Sequence, residues 1–271
     1  MLPVKGILTA RLFYADPGER PIQDVDLRVR PQDLNRVRGI GERAGWRLVS
    51  RSRAYGTLGF EVLGFLVEFE SHVGPPGLCA LRVEDMLRRA TRQSGGLGIA
   101  HLEPELHDHA LHLCVNAFKD KLVDALPWAV RDLELLPGCE GFSPKILATL
   151  AREVGAATIV WIVATWLART RGPMAWDAVR DELGRSAPRP VYRAVFERAL
   201  QAKPARRGWL RLLARAGADR PAQRLRAFGT MALRAGEDAT SKIPRANGLV
   251  QRRTQPQVSS LSPDLPMCSD R

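Results

Sequence analysis

Residues 20–31 read Arg20-Pro21-Ile22-Gln23-Asp24-Val25-Asp26-Leu27-Arg28-Val29-Arg30-Pro31. Two carboxylates sit one residue apart inside a short apolar, β-branched run that ends at a proline. Successive side chains of a strand face opposite ways, so Asp24 and Asp26 share one face while Val25 and Leu27 turn toward a core. Two acids on one strand face repel each other. A divalent cation between them removes that cost, and Mg²⁺ or Mn²⁺ held in this way handles phosphates. The plain alternative is an Asp-x-Asp pair that has arisen by chance and carries no metal.

Working outward, a third acid is available downstream. After a glycine-bearing turn near Gly56 and Gly59, residues Phe60 to Glu70 read as one or two largely buried strands that end in acids. Glu68 and Glu70 share a face; Glu68 is placed to join the two aspartates, and Glu70 reads as a solvated charge at the strand end. Upstream, Leu2-Pro3-Val4 forms the first strand almost at Met1. The apolar residues from Ile7 to Tyr14 fall at helical spacing, so Lys5-Gly6 lies where a strand turns into a helix. A helix N-terminus with a lysine beside it is a ready cradle for phosphate.

The run of Lys5-Gly6, a helix, Tyr14-Ala15-Asp16-Pro17-Gly18-Glu19-Arg20-Pro21 and then Asp24-Val25-Asp26-Leu27-Arg28-Val29-Arg30-Pro31-Gln32-Asp33-Leu34 resembles the uncharacterised nucleotidyltransferase family of the DNA polymerase β-like superfamily. The resemblance continues through the helix up to Gly45-Trp46 and the strand of Glu68. It extends more loosely to Asp108-His109-Ala110-Leu111-His112-Leu113-Cys114 and Trp128-Ala129-Val130-Arg131-Asp132, and beyond that only to the basic helices around Trp209 to Leu233. It implies that Asp24 and Asp26 bind two metal ions, Mg²⁺ or Mn²⁺, and that Glu68 completes the site. It also implies that Lys5 and Gly6 contact a nucleoside triphosphate, whose nucleotide passes to an acceptor hydroxyl. The superfamily usually shows Gly-Gly or Gly-Ser where this chain has Lys-Gly, and the gap from Gly6 to Asp24 is longer than in most members, as it is in the family named.

With 271 residues, 45% of them hydrophobic, the chain can bury a substantial core. The expected class is α+β: a small mixed β-sheet nucleotidyltransferase core backed by helices over residues 1–96, a helical domain over 97–241, and a disordered tail over 242–271 rich in Ser, Pro, Gln and Arg. Helical steps recur from Leu102 to Leu136, Ser143 to Thr170 and Met174 to Leu183. The uncharged run Val154 to Ala168 falls short of the ~20 apolar residues that span a bilayer, and Arg152 and Arg169 flank it, so it reads as a buried core helix. Leu2 to Leu12 lacks the charged start, apolar block and cleavage site of a signal peptide, which predicts a cytoplasmic protein. Gly95-Gly96-Leu97-Gly98 lacks the Gly-Lys-Ser/Thr ending of a phosphate loop and reads as a flexible connector between the two domains.

Cys79, Cys114, Cys139 and Cys268 show none of the paired spacings of a zinc or redox motif and suit a reducing compartment. His101, His107, His109 and His112 crowd into one stretch, which invites a transition-metal reading, but histidines three apart on a helix more often pack or cap. His112 and Asp132 are second-tier candidates for facing the cleft and binding the acceptor.

Net charge is +12, and the excess lies late in the chain, at Arg206, Arg207, Arg211, Arg215, Arg220, Arg224, Arg226 and Arg234 with Trp209 among them. These helices suit an RNA backbone, or they are simply solvated arginine-rich surface. The expected function is a Mg²⁺-dependent nucleotidyltransferase that moves a nucleoside monophosphate from a triphosphate to a hydroxyl on RNA, a protein or a small molecule. The alternative is a non-catalytic protein binding RNA or a partner on a degenerate nucleotidyltransferase scaffold.

Overall fold

Alternation of apolar and polar residues carries the first seventy residues into a five-stranded sheet. In the computed structural model, which describes residues 1–95, 97–121, 127–171, 175–184 and 213–240 with single positions 192, 194, 195 and 198, the fold is α+β. The sheet is built from β1 (Leu2–Val4), β2 (Asp24–Arg28), β3 (Arg47–Ser52), β4 (Thr57–Val62) and β5 (Phe65–Glu70) in the order β1-β2-β5-β4-β3. Helix α1 (Gly6–Phe13) follows β1, and α2 (Leu34–Arg43) follows a turn opened by Pro31. β2 and β5 run parallel at the centre, and the other pairs are antiparallel. Gly59, expected in a turn, lies inside β4 opposite Glu68.

The pleat sorts the two faces. Leu27, Val67, Phe69, Leu58 and Phe60 pack with Val37 of α2 and with Trp46, whose ring meets Phe60 edge-on at 5.7 Å. The opposite face carries Asp24, Asp26, Arg28, Glu68 and Glu70, and beside them Leu2 and Val4, partners of Arg28 and Asp26 in the ladder. Leu2 and Val4 enter a larger core that runs through the helices. Those helices are α3 (Val83–Arg89), α4 (Leu106–Asn116), α5 (Pro127–Leu135), α6 (Pro144–Glu153), α7 (Ala157–Arg171), α8 (Trp176–Leu183) and α9 (Pro221–Thr240).

The helical expectation for Leu102 to Leu136 needs correction. Residues His101–Glu103 form a strand, β7, that pairs antiparallel with β6 (Thr91–Gln93), and helix begins only at Leu106, where the Glu105 carboxylate accepts from the His107 and Asp108 amides. Because Gln93 and His101 are ladder partners, the chain doubles back on itself between them. The glycines at 95 and 98 therefore lie in the loop of this hairpin. The segment from Ser143 to Thr170 is likewise two helices, α6 and α7, broken at Gly155, whose φ of +67° ends the first. Within α7, Ile159, Val160, Ile162, Val163, Ala164 and Leu167 are all buried, as a core helix requires. Among the described residues no helix is long and apolar enough to cross a membrane.

Helix α9 returns across the molecule. At the approach to it, Asp219 accepts from the amides of Ala157 and Thr158 at 2.7 and 3.0 Å, capping α7 from a distant part of the chain. The helix then crosses the loop at Gly77, where a Cβ would come within 2.5 Å of the Ala227 nitrogen, so only glycine allows the approach. At its far end Glu237 accepts from the Ser52 hydroxyl at 2.7 Å and from the amides of Arg53 and Ala54, both at 3.0 Å. The β3–β4 hairpin is thus tied to the last described helix. Residues 242–271, Cys268 within them, and the basic positions Arg206, Arg207, Trp209 and Arg211 lie outside the described residues.

Candidate active site

The parallel register of β2 and β5 sets Asp26 directly beside Glu68, with Asp24 one pleat along on the same face. One oxygen from each of Asp24, Asp26 and Glu68 lies within 4.8 Å of the others, the one such group of metal-ligating side chains among the described residues. Divalent cations of the Mg²⁺ class take hard oxygen donors at about 2.1 Å, so a set with this spread lies within reach of one ion or a close pair. The donor set therefore fits Mg²⁺ or Mn²⁺.

The surrounding charges are arranged in a second row. Lys5 places its ammonium 2.5 Å from Asp26 Oδ1 and 3.9 Å from Glu70 Oε2. Burial pushes the Asp26 carboxyl up, but Lys5 and then Arg28 outweigh it and hold it below the usual carboxylate range. Glu68 goes the other way, raised by burial and by the neighbouring Asp26 charge. Such opposed neighbours make a site that gains from a cation. Lys5 itself stands at the head of α1 with φ 54° and ψ −135°, a backbone region that side-chain-bearing residues rarely adopt. The next residue is glycine for a plain reason: a Cβ on Gly6 would meet the Arg20 guanidinium at 3.0 Å.

Glu70 is not the solvated strand-end charge that its position suggests. It is largely buried and paired with Arg28, which is itself sealed from solvent. Burial lowers the Arg28 guanidinium to about 10, against the pull of Asp26 and Glu68. Behind it, Arg28 Nη2 lies 2.6 Å from His112 Nε2. His112 is fully buried and held neutral, first by burial and then by Arg28, and it does not line the cleft. Its neighbour His109 packs 5.7 Å from Phe13, and burial alone lowers it to about 3. His107 accepts from the Ser143 amide at 3.0 Å and pairs with Glu105. These histidines pack and cap; none joins a metal-binding group among the described residues. Cys114 is a buried thiol and Cys79 a half-buried one, and burial raises both, Cys79 to about 11, which disfavours the reactive thiolate.

A cleft of about 230 Å³ opens over the carboxylates. Its floor holds Lys5, Gly6, Asp24, Asp26, Glu68 and Glu70; its walls include Asn116 at the end of α4, Lys119 in the π-helical turn Ala117–Lys121 that follows, and Trp128 and Asp132 on α5. Asp132 does face this space but is pinned: Arg20 donates from Nε and Nη2 at 3.1 and 2.9 Å, and the Tyr14 hydroxyl donates at 2.9 Å. Burial and the Asp132 charge raise Tyr14 far above its ordinary value. Arg20, Arg28, Lys119 and Trp128 line or back this cleft without being singled out by their sequence context as site residues. Of these, Arg28 is legible, since it continues the Asp24, Asp26 alternation onto the same face. Arg20 meets Asp132 only through the fold.

Of the late arginines, Arg220 donates to the Glu153 carbonyl at 2.5 Å and Arg234 to the Arg51 carbonyl at 3.1 Å. These contacts hold α9 to the rest of the protein. Comparison with known families matches residues 1–182 to a family described as an uncharacterised nucleotidyltransferase. No curated protein and no solved structure matches.

Proposed function

The chain belongs to this family of uncharacterised nucleotidyltransferases, and we propose that its cleft binds a nucleoside triphosphate with Mg²⁺ or Mn²⁺ on Asp24, Asp26 and Glu68 and passes the nucleoside monophosphate to an acceptor hydroxyl. In that reaction the acceptor oxygen bonds to the α-phosphorus while the bond from that phosphorus to the β-phosphate oxygen breaks. The hydroxyl proton is lost and pyrophosphate leaves. A cation there would make the hydroxyl more acidic and offset charge on the α-phosphate and the leaving pyrophosphate.

The chain's own residues supply the rest. The carboxylates fix the cation at the strand ends, and the first amides of α1, with Lys5 beside them, favour a polyphosphate. Lys119 on the facing wall adds positive charge, and Trp128 offers a partly exposed ring to a base. Asp132, held by Arg20 and Tyr14, shapes the wall and is not counted among the ligands.

The observation that carries this reading is the convergence of three carboxylates from two adjacent parallel strands on the floor of a lysine-bearing cleft. Incubation with α-labelled triphosphates, Mg²⁺ and total RNA or cell extract tests it, beside a variant with Asp24→Asn and Asp26→Asn together. Label should move to an acceptor with the wild type and not with the variant. Absence of transfer together with absence of Mg²⁺-dependent triphosphate binding overturns the reading and leaves a basic binding protein.

A further inference from the structure

Arg20 is the guanidinium that the fold delivers to the cleft. The chain leaves α1 at Tyr14 and turns through Pro17–Glu19, where the Asp16 carboxylate accepts from the Gly18 amide at 2.8 Å and the Pro17 carbonyl accepts from the Arg20 amide at 3.3 Å. That turn brings Arg20 back to the start of the helix the chain has just left. There the guanidinium lies against Gly6: a Cβ on that glycine would meet its Nη1, Cζ and Nη2 atoms at 3.0, 3.2 and 3.3 Å. It is also near enough to Asp24 for the two charges to act on each other. Gly6 and Asp24 line the cleft, and so does Arg20, with 13% of its side chain exposed.

Each terminal nitrogen of a guanidinium carries two N–H groups. On Arg20, Nε and Nη2 donate to Asp132 at 3.1 and 2.9 Å and Nη1 donates to the Pro21 carbonyl at 2.5 Å, which leaves one N–H on Nη1 and one on Nη2 without a partner among the described residues. Asp132, almost wholly buried and fixed in turn by the Tyr14 hydroxyl at 2.9 Å, holds the plane of the group. An arginine clamped in this way has already lost its rotamer freedom, so it offers two N–H groups to an anion at little further entropic cost. A pair that served only to brace α5 against this loop would need neither the space that Gly6 leaves nor an open edge on the cleft.

We infer that Arg20 is a phosphate-binding residue of the nucleotide site: its two remaining N–H groups hold the phosphates that leave as pyrophosphate, and Asp132 is the residue that positions it. The inference rests on the nucleotidyltransferase reading above and adds to it the group that receives the leaving charge. In that reading the α-phosphate belongs over Asp24, Asp26 and Glu68, and the guanidinium stands beside them at the head of α1, so the outer phosphates fall to it. A planar guanidinium matches phosphate oxygens two at a time and keeps its charge at every working pH, which suits it to the negative charge that builds on the leaving pyrophosphate.

The test is calorimetric binding of inorganic pyrophosphate with Mg²⁺ to the full chain, a probe that does not depend on which base the nucleotide carries, beside Mn²⁺ binding read by paramagnetic resonance. Wild type should bind pyrophosphate, and Arg20→Met should bind it more weakly by about tenfold or more. The same variant should bind Mn²⁺ alone at least as tightly as wild type, because the change removes a cation from beside Asp24. Equal pyrophosphate affinity in wild type and Arg20→Met, or no binding by the wild type, overturns the inference. So does a parallel loss of Mn²⁺ and pyrophosphate in a variant that melts like wild type, which would mark Arg20 as structural only. If Arg20→Met melts early, the double variant Arg20→Met, Asp132→Asn decides by the same comparison, since it leaves no buried charge without its partner and keeps an acceptor for Tyr14. Nucleotidyl transfer is read separately: pyrophosphate bound through Arg20 without transfer of label by the wild type would overturn the nucleotidyltransferase reading and leave the anion site standing.

Discussion

Asp26 and Glu68 stand opposite each other in the parallel ladder at the centre of the sheet, two carboxylates of neighbouring strands on one face. Directly opposed like charges in a sheet are destabilising by up to about 1 kcal/mol. Glu68→Gln should therefore raise the melting temperature of the protein in EDTA while lowering nucleotidyl transfer in Mg²⁺. The loss of activity should exceed the roughly 10–100-fold that follows from losing a partner that merely supports a metal ligand. A lower melting temperature in EDTA would show that Glu68 is satisfied without a cation.

Lys5 is the cation that Asp26 has at 2.5 Å. Removing one partner of a buried pair costs about 3–5 kcal/mol, with Arg28 nearby to soften it, so Lys5→Met should melt earlier than wild type in EDTA. The same variant should bind Mn²⁺ in the absence of nucleotide about tenfold more tightly, read by paramagnetic resonance, because the ammonium no longer competes for Asp26. Mn²⁺ should also recover most of the lost thermal stability. Unchanged Mn²⁺ affinity would mean that Lys5 and the metal do not share a ligand.

Acid should weaken the fold in a way traceable to two histidines. His109 is lowered to about 3 and His112 lies well below its usual value, both by burial. A group whose folded value is depressed takes up its proton first in the unfolded chain. Its stabilising contribution is thus complete above the unfolded value near 6.5 and declines as pH falls toward the folded one. Between pH 7 and pH 5 His109 should remove about 2 kcal/mol from the unfolding free energy, and His112 acts in the same direction. His109→Leu, at a site where neither ring nitrogen has a hydrogen bond, should lower that pH dependence in urea titrations by about the His109 share. An unaltered slope would place the acid sensitivity elsewhere.

Trp128 sits on the cleft wall with 39% of its surface exposed. Base stacking on an aromatic ring contributes about 1–3 kcal/mol. Trp128→Ala should raise the KM for the triphosphate about tenfold and leave kcat within a few-fold, and Trp128→Phe should restore most of the affinity. A fall in kcat at constant KM would assign the ring a different part.

Local chemistry explains which parts of this fold are legible in the sequence. The β2 alternation, the helix that begins at Gly6 and the buried run of α7 are each written in consecutive residues, and each appears where periodicity places it. The three-residue β6–β7 ribbon is too short to carry a period, so His101–Glu103 merges with the helical pattern after it. Glu70 reads as a strand-end charge because its partners, Arg28 and Lys5, belong to other elements. Arg20 and Asp132 lie 112 residues apart, and nothing in either neighbourhood announces the pair. Charged residues that alternate with apolar ones look alike whether water or a buried counter-charge awaits them.

Glu237 binds the β3–β4 hairpin across 185 residues of sequence. At synthesis rates of about 5–20 residues per second, the hairpin leaves the ribosome roughly 10–40 s before its brace exists. The strands that bear Asp24, Asp26 and Glu68 are complete early in translation. The tie that anchors the edge of their sheet arrives only with the last described helix, so a nascent or truncated chain would carry all three carboxylates on a sheet whose far edge is still unsecured. The order of synthesis thus separates possession of the acids from possession of the finished scaffold.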